Sequence, residues 1–167
     1  MQEAADKQEA WQKLERELFT DIVLRWKDTV FRLAFSYMKS QADADDITQT
    51  VFLKLYRSKT IFSSEDHLRN WLIRVTVNES RSLLRSWWRR REDIDQYAQS
   101  LCFQPEQMEL LEDILALPEK YRIPIYLFYY EGYSSEEIGQ ILKIPADTVR
   151  TRLSRGRKLL RISLEEA

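Results

Sequence analysis

The stretch GYSSEEIGQILKIPADTVRTRLSRGRKLLR, residues 132–161, decides how this chain is read. Ser134 followed three residues later by Glu137 is a capping box, so a helix is predicted to begin there. Ile138, Ile141 and Leu142 give that helix one apolar face. Gly139 has no side chain and lets another helix approach closely. The link LKIP is short, and Pro145 presets φ at the mouth of the next helix. On that helix Val149, Leu153 and Leu160 fall on one side, while Arg150, Thr151, Ser154, Arg155, Arg157 and Lys158 fall on or beside the other. Two helices, a tight turn and a basic second helix make the helix-turn-helix plan. Its second helix lies in the major groove and reads base edges with its N-terminal half. Arginines there pair bidentately with guanine, while Arg157, Lys158 and Arg161 lie further along and suit phosphates. The competing reading is a surface helix that happens to be basic.

Outward from this motif the chain stays helical. Residues 8–38 carry Leu14, Leu18, Ile22 and Trp26 at i+4 spacing, then Val30, Leu33, Ala34 and Tyr37, with a break foreseen near Asp28-Thr29. Ser40 and Asp43 pattern as a capping box before a helix whose apolar face is Ile47, Val51, Phe52 and Leu55. Asp45, Asp46, Gln49 and Lys54 lie largely off that face. Residues 58–66 read as a loop, with Ser63 and Asp66 as a further capping box. The next helix keeps its period through Leu68, Trp71, Leu72, Val75, Leu83 and Leu84 as far as Arg91. Residues 92–104 lose periodicity and read as a linker. Pro105 suits a helix start. Leu110, Leu111, Ile114 and Leu115 form a stripe ending at Leu117-Pro118, and another helix covers about 119–131, with Gly132 as its C′ residue and Pro124 tolerable only in a first turn. The expected fold is all-α: two small helical bundles over 8–91 and 105–163, joined by the 92–104 linker, each with a core that is marginal alone.

Composition narrows the function. With 26 Lys+Arg against 27 Asp+Glu the net charge is only -1, yet the charge is segregated. Arg81 to Arg91 holds five arginines and no acid, and Lys143 to Arg161 holds seven bases and one acid. Between them, Glu92 to Glu119 holds eight acids and no base. Such blocks suit two polyanion-binding surfaces joined by a segment that avoids polyanions, or else ordinary solvated helix faces. One cysteine, Cys102, and one histidine, His67, supply neither a disulfide framework, a metal-ligand set nor a catalytic triad. No Walker pattern or Gly-rich phosphate loop is present, so no enzyme, cofactor or small-molecule substrate is expected. The acid-bearing start predicts no signal peptide, and the longest apolar run, IPIYLFYY (123–130), is too short to span a bilayer.

Three segments taken in order, VFRLAFSYMKSQADADDITQTVFLKLYR, HLRNWLIRVTVNESRSLLRSWWRRR and LPEKYRIPIYLFYYEGYSSEEIGQILKIPADTVRTRLSRGRKLL, resemble a bacterial sigma factor. The likeness, over about residues 12–162, is to the extracytoplasmic-function group of the sigma-70 family, which keeps only regions 2 and 4. The resemblance implies that region 2 docks on the clamp coiled coil of the polymerase β′ subunit. The family's acidic-x-x-Gln pattern is matched by Asp45, Asp46 and Gln49; Thr50 stands where the family usually has Glu. It implies that the loop and helix that follow recognise and open the −10 element. The loop here brings Ser63, Ser64 and His67, and the helix brings Asn78, Arg81 and Arg85. Asn78 falls where the family has an asparagine that contacts the non-template strand; His67 has no assigned chemistry beyond its place. Trp71 reads as core. Trp87 and Trp88 can stack on unpaired bases or pack on a neighbouring helix. The −35 element falls to region 4, through Ser134, Arg150, Thr151, Ser154, Arg155, Arg157 and Lys158. The linker of the family threads the polymerase cleft, where Glu92, Asp93 and Asp95 would mimic RNA charge in a basic channel.

The partners implied are core RNA polymerase (β′ clamp and β flap), promoter DNA and, in many family members, an anti-sigma factor that holds the protein inactive; a bacterial cytoplasmic location follows. Tyr126, Phe128, Tyr129 and Tyr130 exceed what one buried face needs and serve either core or partner. Two rivals stay open: a stand-alone dimeric helix-turn-helix regulator, and a sigma mimic that binds partners without directing transcription.

Overall fold

Side-chain caps at Ser40, Ser64 and Ser134 set where three of these helices begin. The computed structural model describes residues 2–87 and 110–166, and among these residues there are seven helices and no strand. The readings of Trp88, Arg89 to Arg91, the 92–104 linker and Pro105 fall outside the described residues, as do the side chains of Leu14 and Trp87.

The first bundle holds α1 (Gln2–Met38), α2 (Gln41–Arg57) and α3 (Glu65–Trp87). The break foreseen at Asp28-Thr29 does not occur. Arg32 donates to the Thr29 hydroxyl across one helical turn (3.3 Å), and Val30, Leu33 and Ala34 are fully buried on either side of it. Leu18 is another correction: it is 55% exposed, and the packed face runs instead through Phe19, Ile22, Val23 and Trp26. At the end of α1, Lys39 takes the left-handed conformation (φ 56°) and its N–H donates to Phe35 O (2.8 Å). Ser40 then caps α2 by accepting from the Asp43 N–H (3.4 Å). The cap of α3 lies one residue later than the sequence suggests. Ser64, not Ser63, accepts from the His67 N–H (3.0 Å).

The second bundle holds α4 (Leu111–Ala116), α5 (Glu119–Tyr129), α6 (Ser135–Leu142) and α7 (Ala146–Glu166). Leu110 precedes α4 and is 39% exposed, so it leaves the expected stripe. Pro124 sits in the second turn of α5 rather than the first. There it removes one helical donor but buries its ring in the core, an exchange of hydrogen bond for packing. Gly132 lies beyond the C-cap Tyr130 and turns the chain with φ +72°. Tyr126 is buried and stacks on Tyr130 (5.3 Å), so most of the aromatic run serves the core, whereas Tyr129 stays 54% exposed.

The linker is not all that joins the bundles. They pack directly, α1 against α5 and α3 against α6, and their buried residues form one continuous core. Small bundles with marginal separate cores gain buried apolar area this way.

Candidate functional site

Three surfaces carry polar side chains that the cores do not need. The first is on α2. Asp45, Asp46 and Gln49 are exposed on one side of the helix, away from Ile47 and Val51. The Asp45 carboxyl is held above its ordinary range, by partial burial first and by the neighbouring Asp46 charge second. A cation brought to this pair relieves their repulsion. Thr50 adds nothing outward, because its hydroxyl donates to Asp46 O in its own helix (2.9 Å). The stripe continues into residues the sequence reading passed over: Leu53 (52% exposed) and Tyr56 (65% exposed) follow Gln49 at i+4 and i+7. Their signal was available, as apolar residues off the buried face. Tyr56 is steadied by an edge-to-face contact with Phe19 at 5.3 Å. An acid–amide end running into an apolar end suits a helical partner that offers cations and aliphatic side chains.

The second surface is the loop before α3 and the outer side of α3. His67 Nδ1 accepts from the Ser63 N–H (3.2 Å). Phe62 meets His67 and Trp71 edge-on at 5.2 and 5.8 Å. This cluster fixes a loop whose Ser63, Ser64 and His67 stay exposed. Trp71 packs against the core, as its position suggested. On α3, Asn78 and Arg85 are exposed at i and i+7, with the half-buried Arg81 between them. Arg74, exposed four residues before Asn78, extends the same stripe and was missed. Its signal was the i, i+4, i+7, i+11 spacing of Arg74, Asn78, Arg81 and Arg85. Arg81 is not free: its Nη1 donates to Leu142 O of α6 (3.2 Å).

The third surface is the helix-turn-helix. Its capping box is complete, with Ser134 Oγ accepting from the Glu137 N–H (3.2 Å) and Glu137 Oε2 accepting from the Ser134 N–H (2.8 Å). Lys143 closes α6 in the left-handed conformation (φ 57°). Gly139 is required by the turn itself rather than by a distant helix, since a Cβ there would stand 2.7 Å from Ile144 O. Gly156 has the role first given to Gly139: its Cβ would meet the Ile125 side chain of α5 at 2.3 Å. Val149, Leu153 and Gly156 face inward. Arg150, Thr151, Ser154, Arg155, Arg157 and Lys158 are all exposed. Arg150 donates to Asp147 and to Glu136 Oε1 (2.8 Å), and both contacts favour its charged form. That aims the guanidinium fork along the N-terminal end of α7. Arg157 donates to the Tyr129 hydroxyl (3.2 Å), which puts a phenol beside the basic face.

Among the described residues no helix is long and apolar enough to cross a membrane. Comparison with known proteins gives the family. The family model for sigma-70 region 2 matches residues 22–90, and that for sigma-70 region 4 matches residues 107–160. The chain is 32% identical to the ECF RNA polymerase sigma factor SigW of Bacillus subtilis, over 92% of each chain. It is 31% identical to the ECF RNA polymerase sigma-E factor of Escherichia coli, over 89% of this chain and 87% of the relative. In fold it resembles CnrH, solved in complex with the cytosolic domain of CnrY (TM-score 0.66, 24% identity, 90% of both chains). It also resembles the sigma factor RpoE of Bartonella quintana, solved with the anti-sigma factor NepR (TM-score 0.70, 21% identity, 88% of this chain and 96% of that one). Two sigma-70 regions in their order, together with this identity across nearly the whole length of its relatives, make the chain a member of the extracytoplasmic-function group of RNA polymerase sigma factors.

Proposed function

We propose that this chain binds core RNA polymerase and directs promoter-specific initiation by recognising −35 and −10 elements and helping to open the DNA. The observation that carries the reading is the helix-turn-helix, its first helix closed by a complete capping box and its second presenting an exposed basic face, on the same chain as a separate acid–amide stripe. Arg150, Thr151, Ser154 and Arg155 read −35 base edges, with Arg157 and Lys158 on phosphates and the Ser134 end of α6 against the backbone. Asp45, Asp46 and Gln49 meet arginines of the β′ clamp, and Leu53 and Tyr56 extend that contact. The β flap engages region 4. Ser63, Ser64, His67, Asn78, Arg81 and Arg85 hold −10 bases once they leave the stack.

No covalent step is involved. Strand opening follows because the −10 surface binds the single-stranded form better than the duplex, which shifts a population already present. The factor acts in the bacterial cytoplasm, where polymerase and promoter are. An anti-sigma factor is a fitting further partner, on the strength of the solved sigma factor that resembles this chain and was captured with one.

Run-off transcription with purified core polymerase, on templates selected from a randomised promoter pool, is the test. The expected result is one start site set by two short elements at a fixed spacing. A palindromic site bound tightly without polymerase would favour a stand-alone regulator. Polymerase binding with no start-site choice would favour a mimic.

A further inference from the structure

Arg150 stands apart from the other cations on the exposed side of α7. Its guanidinium is held by two carboxylates that reach it from different helices. Asp147 lies one turn earlier on α7, and Glu136 lies in the first turn of α6. Arg150 Nη1 donates to Glu136 Oε1 (2.8 Å) and Nη2 donates to Asp147. All three side chains are open to solvent, Asp147 most of all at 91%. Arg150 is held in its charged form by the Asp147 bond first and the Glu136 bond second. The Glu136 carboxyl is held below its usual range, first by its own helix N–H and then by Arg150. Among the described residues no carboxylate pairs with Arg155, Arg157 or Lys158, which are exposed on the same helix. Either acid alone fits the dipole of its own helix. Their convergence on one guanidinium is a separate fact, and it fixes the direction of the fork.

We propose that Glu136 and Asp147 are positioning residues that turn Arg150 from a phosphate-seeking cation into a reader of a single guanine. The inference deepens the proposed −35 reading and rests on it. A guanidinium has five N–H donors, and the two carboxylates take two of them. Three remain, and bidentate pairing with guanine O6 and N7 needs two. The clamp thus leaves donors enough for a base edge. It also removes side-chain freedom before DNA arrives, so less is lost on binding. A phosphate gains little from a cation already paired with two anions, and the carboxylates beside it repel a phosphate. Guanine brings neutral acceptors at a fixed spacing and meets no such repulsion. A base pair without those acceptors leaves both acids in the groove uncompensated, which is discrimination by penalty as well as by attraction. Arg157 and Lys158, without acids, supply the attraction that is independent of sequence.

The test uses holoenzyme reconstituted from core polymerase and the full chain, bound to promoter duplexes that carry each base pair at each −35 position. Arg150→Ala first identifies the base pair that depends on this side chain. At that pair, Glu136→Gln with Asp147→Asn is expected to cut the preference for guanine by about tenfold, the scale of one base contact. On duplex lacking both elements, the slope of log affinity against log salt is expected to steepen by about one, because Arg150 is freed for a phosphate. Asp147→Glu keeps the charge and is expected to retain most of the preference. In an Arg150→Ala background the two neutral substitutions should leave every base preference unchanged, which separates positioning from loss of charge alone. A double variant whose guanine preference is intact overturns the clamp, even if it melts lower, since dipole loss alone explains that. An affinity change equal for all four base pairs overturns it too. Arg150→Ala with no altered base preference removes the reader and the clamp, while −35 selection through other residues leaves the proposed function standing. A holoenzyme that selects no −35 element sinks the proposed function and the clamp with it.

Discussion

Replacing Gly139 by alanine asks whether the helix-turn-helix depends on backbone touching backbone. The added Cβ would stand 2.7 Å from Ile144 O and 3.4 Å from Ala146 N. Both are main-chain atoms of the turn, so no side-chain rotation relieves the clash. The turn is also tied back, because Gly139 O accepts from the Ile144 N–H at 3.0 Å. Overpacking of this kind costs about 1–3 kcal/mol. Alanine for glycine inside a helix returns about 1 kcal/mol. The net is a loss of about 1 kcal/mol and at most roughly 2, or a fall in Tm of about 2–8 °C for a chain of this size. Thermal unfolding followed by circular dichroism reads this directly. The displaced turn moves the start of α7, so affinity of the protein for −35 duplex, measured by fluorescence anisotropy, should fall by about tenfold, the equivalent of one lost base contact. Gly132→Ala is the control. Its Cβ meets nothing within 4 Å, and only its φ of +72° is strained, so it should lose about 1 kcal/mol with DNA affinity intact. A Gly139→Ala protein that melts at or above the unmutated one and holds −35 duplex equally well refutes the reasoning.

The other expectations concern separate surfaces. Arg150→Ala with Arg155→Ala should abolish −35-dependent transcription while polymerase binding survives, each arginine contributing about 1–3 kcal/mol of base discrimination; co-purification beside run-off assays separates the two effects. Asp46→Ala with Gln49→Ala should weaken core binding without altering −35 duplex affinity, and Leu53→Asp should do the same if the docking stripe extends as described. Lys143→Gly should stabilise the protein by about 0.5–1 kcal/mol in chemical denaturation, because glycine takes φ 57° without strain. Burial pushes the Tyr133 hydroxyl up to about 12, against the opposing pull of Arg69. Its folded value lies above the unfolded one, so the stability it contributes is complete below pH about 10 and is lost as pH rises toward 12. The stability gap between the unmutated protein and Tyr133→Phe should therefore shrink over that window; a gap independent of pH would contradict this.

Sequence and structure divide along the range of the forces involved. Caps and apolar periods act over three or four residues, so the Ser134–Glu137 box, the Ser40 cap, the inward Val149 and Leu153 and the exposed Asp45, Asp46 and Gln49 were all legible from the chain. Where two serines adjoin, as at Ser63 and Ser64, the local signal is degenerate, and the packing of Phe62 on His67 and Trp71 decides which one caps α3. Leu18 and Leu53 look like core by type alone, and only the presence or absence of a neighbouring helix separates them from Phe19 and Phe52. The family likeness and the helical class were thus written in one dimension. Arg122 was not: its acceptors Ser36 and Tyr37 lie 86 and 85 residues away. No local pattern marks an arginine for burial, and only the meeting of two bundles creates a pocket of unpaired carbonyls able to hold its charge.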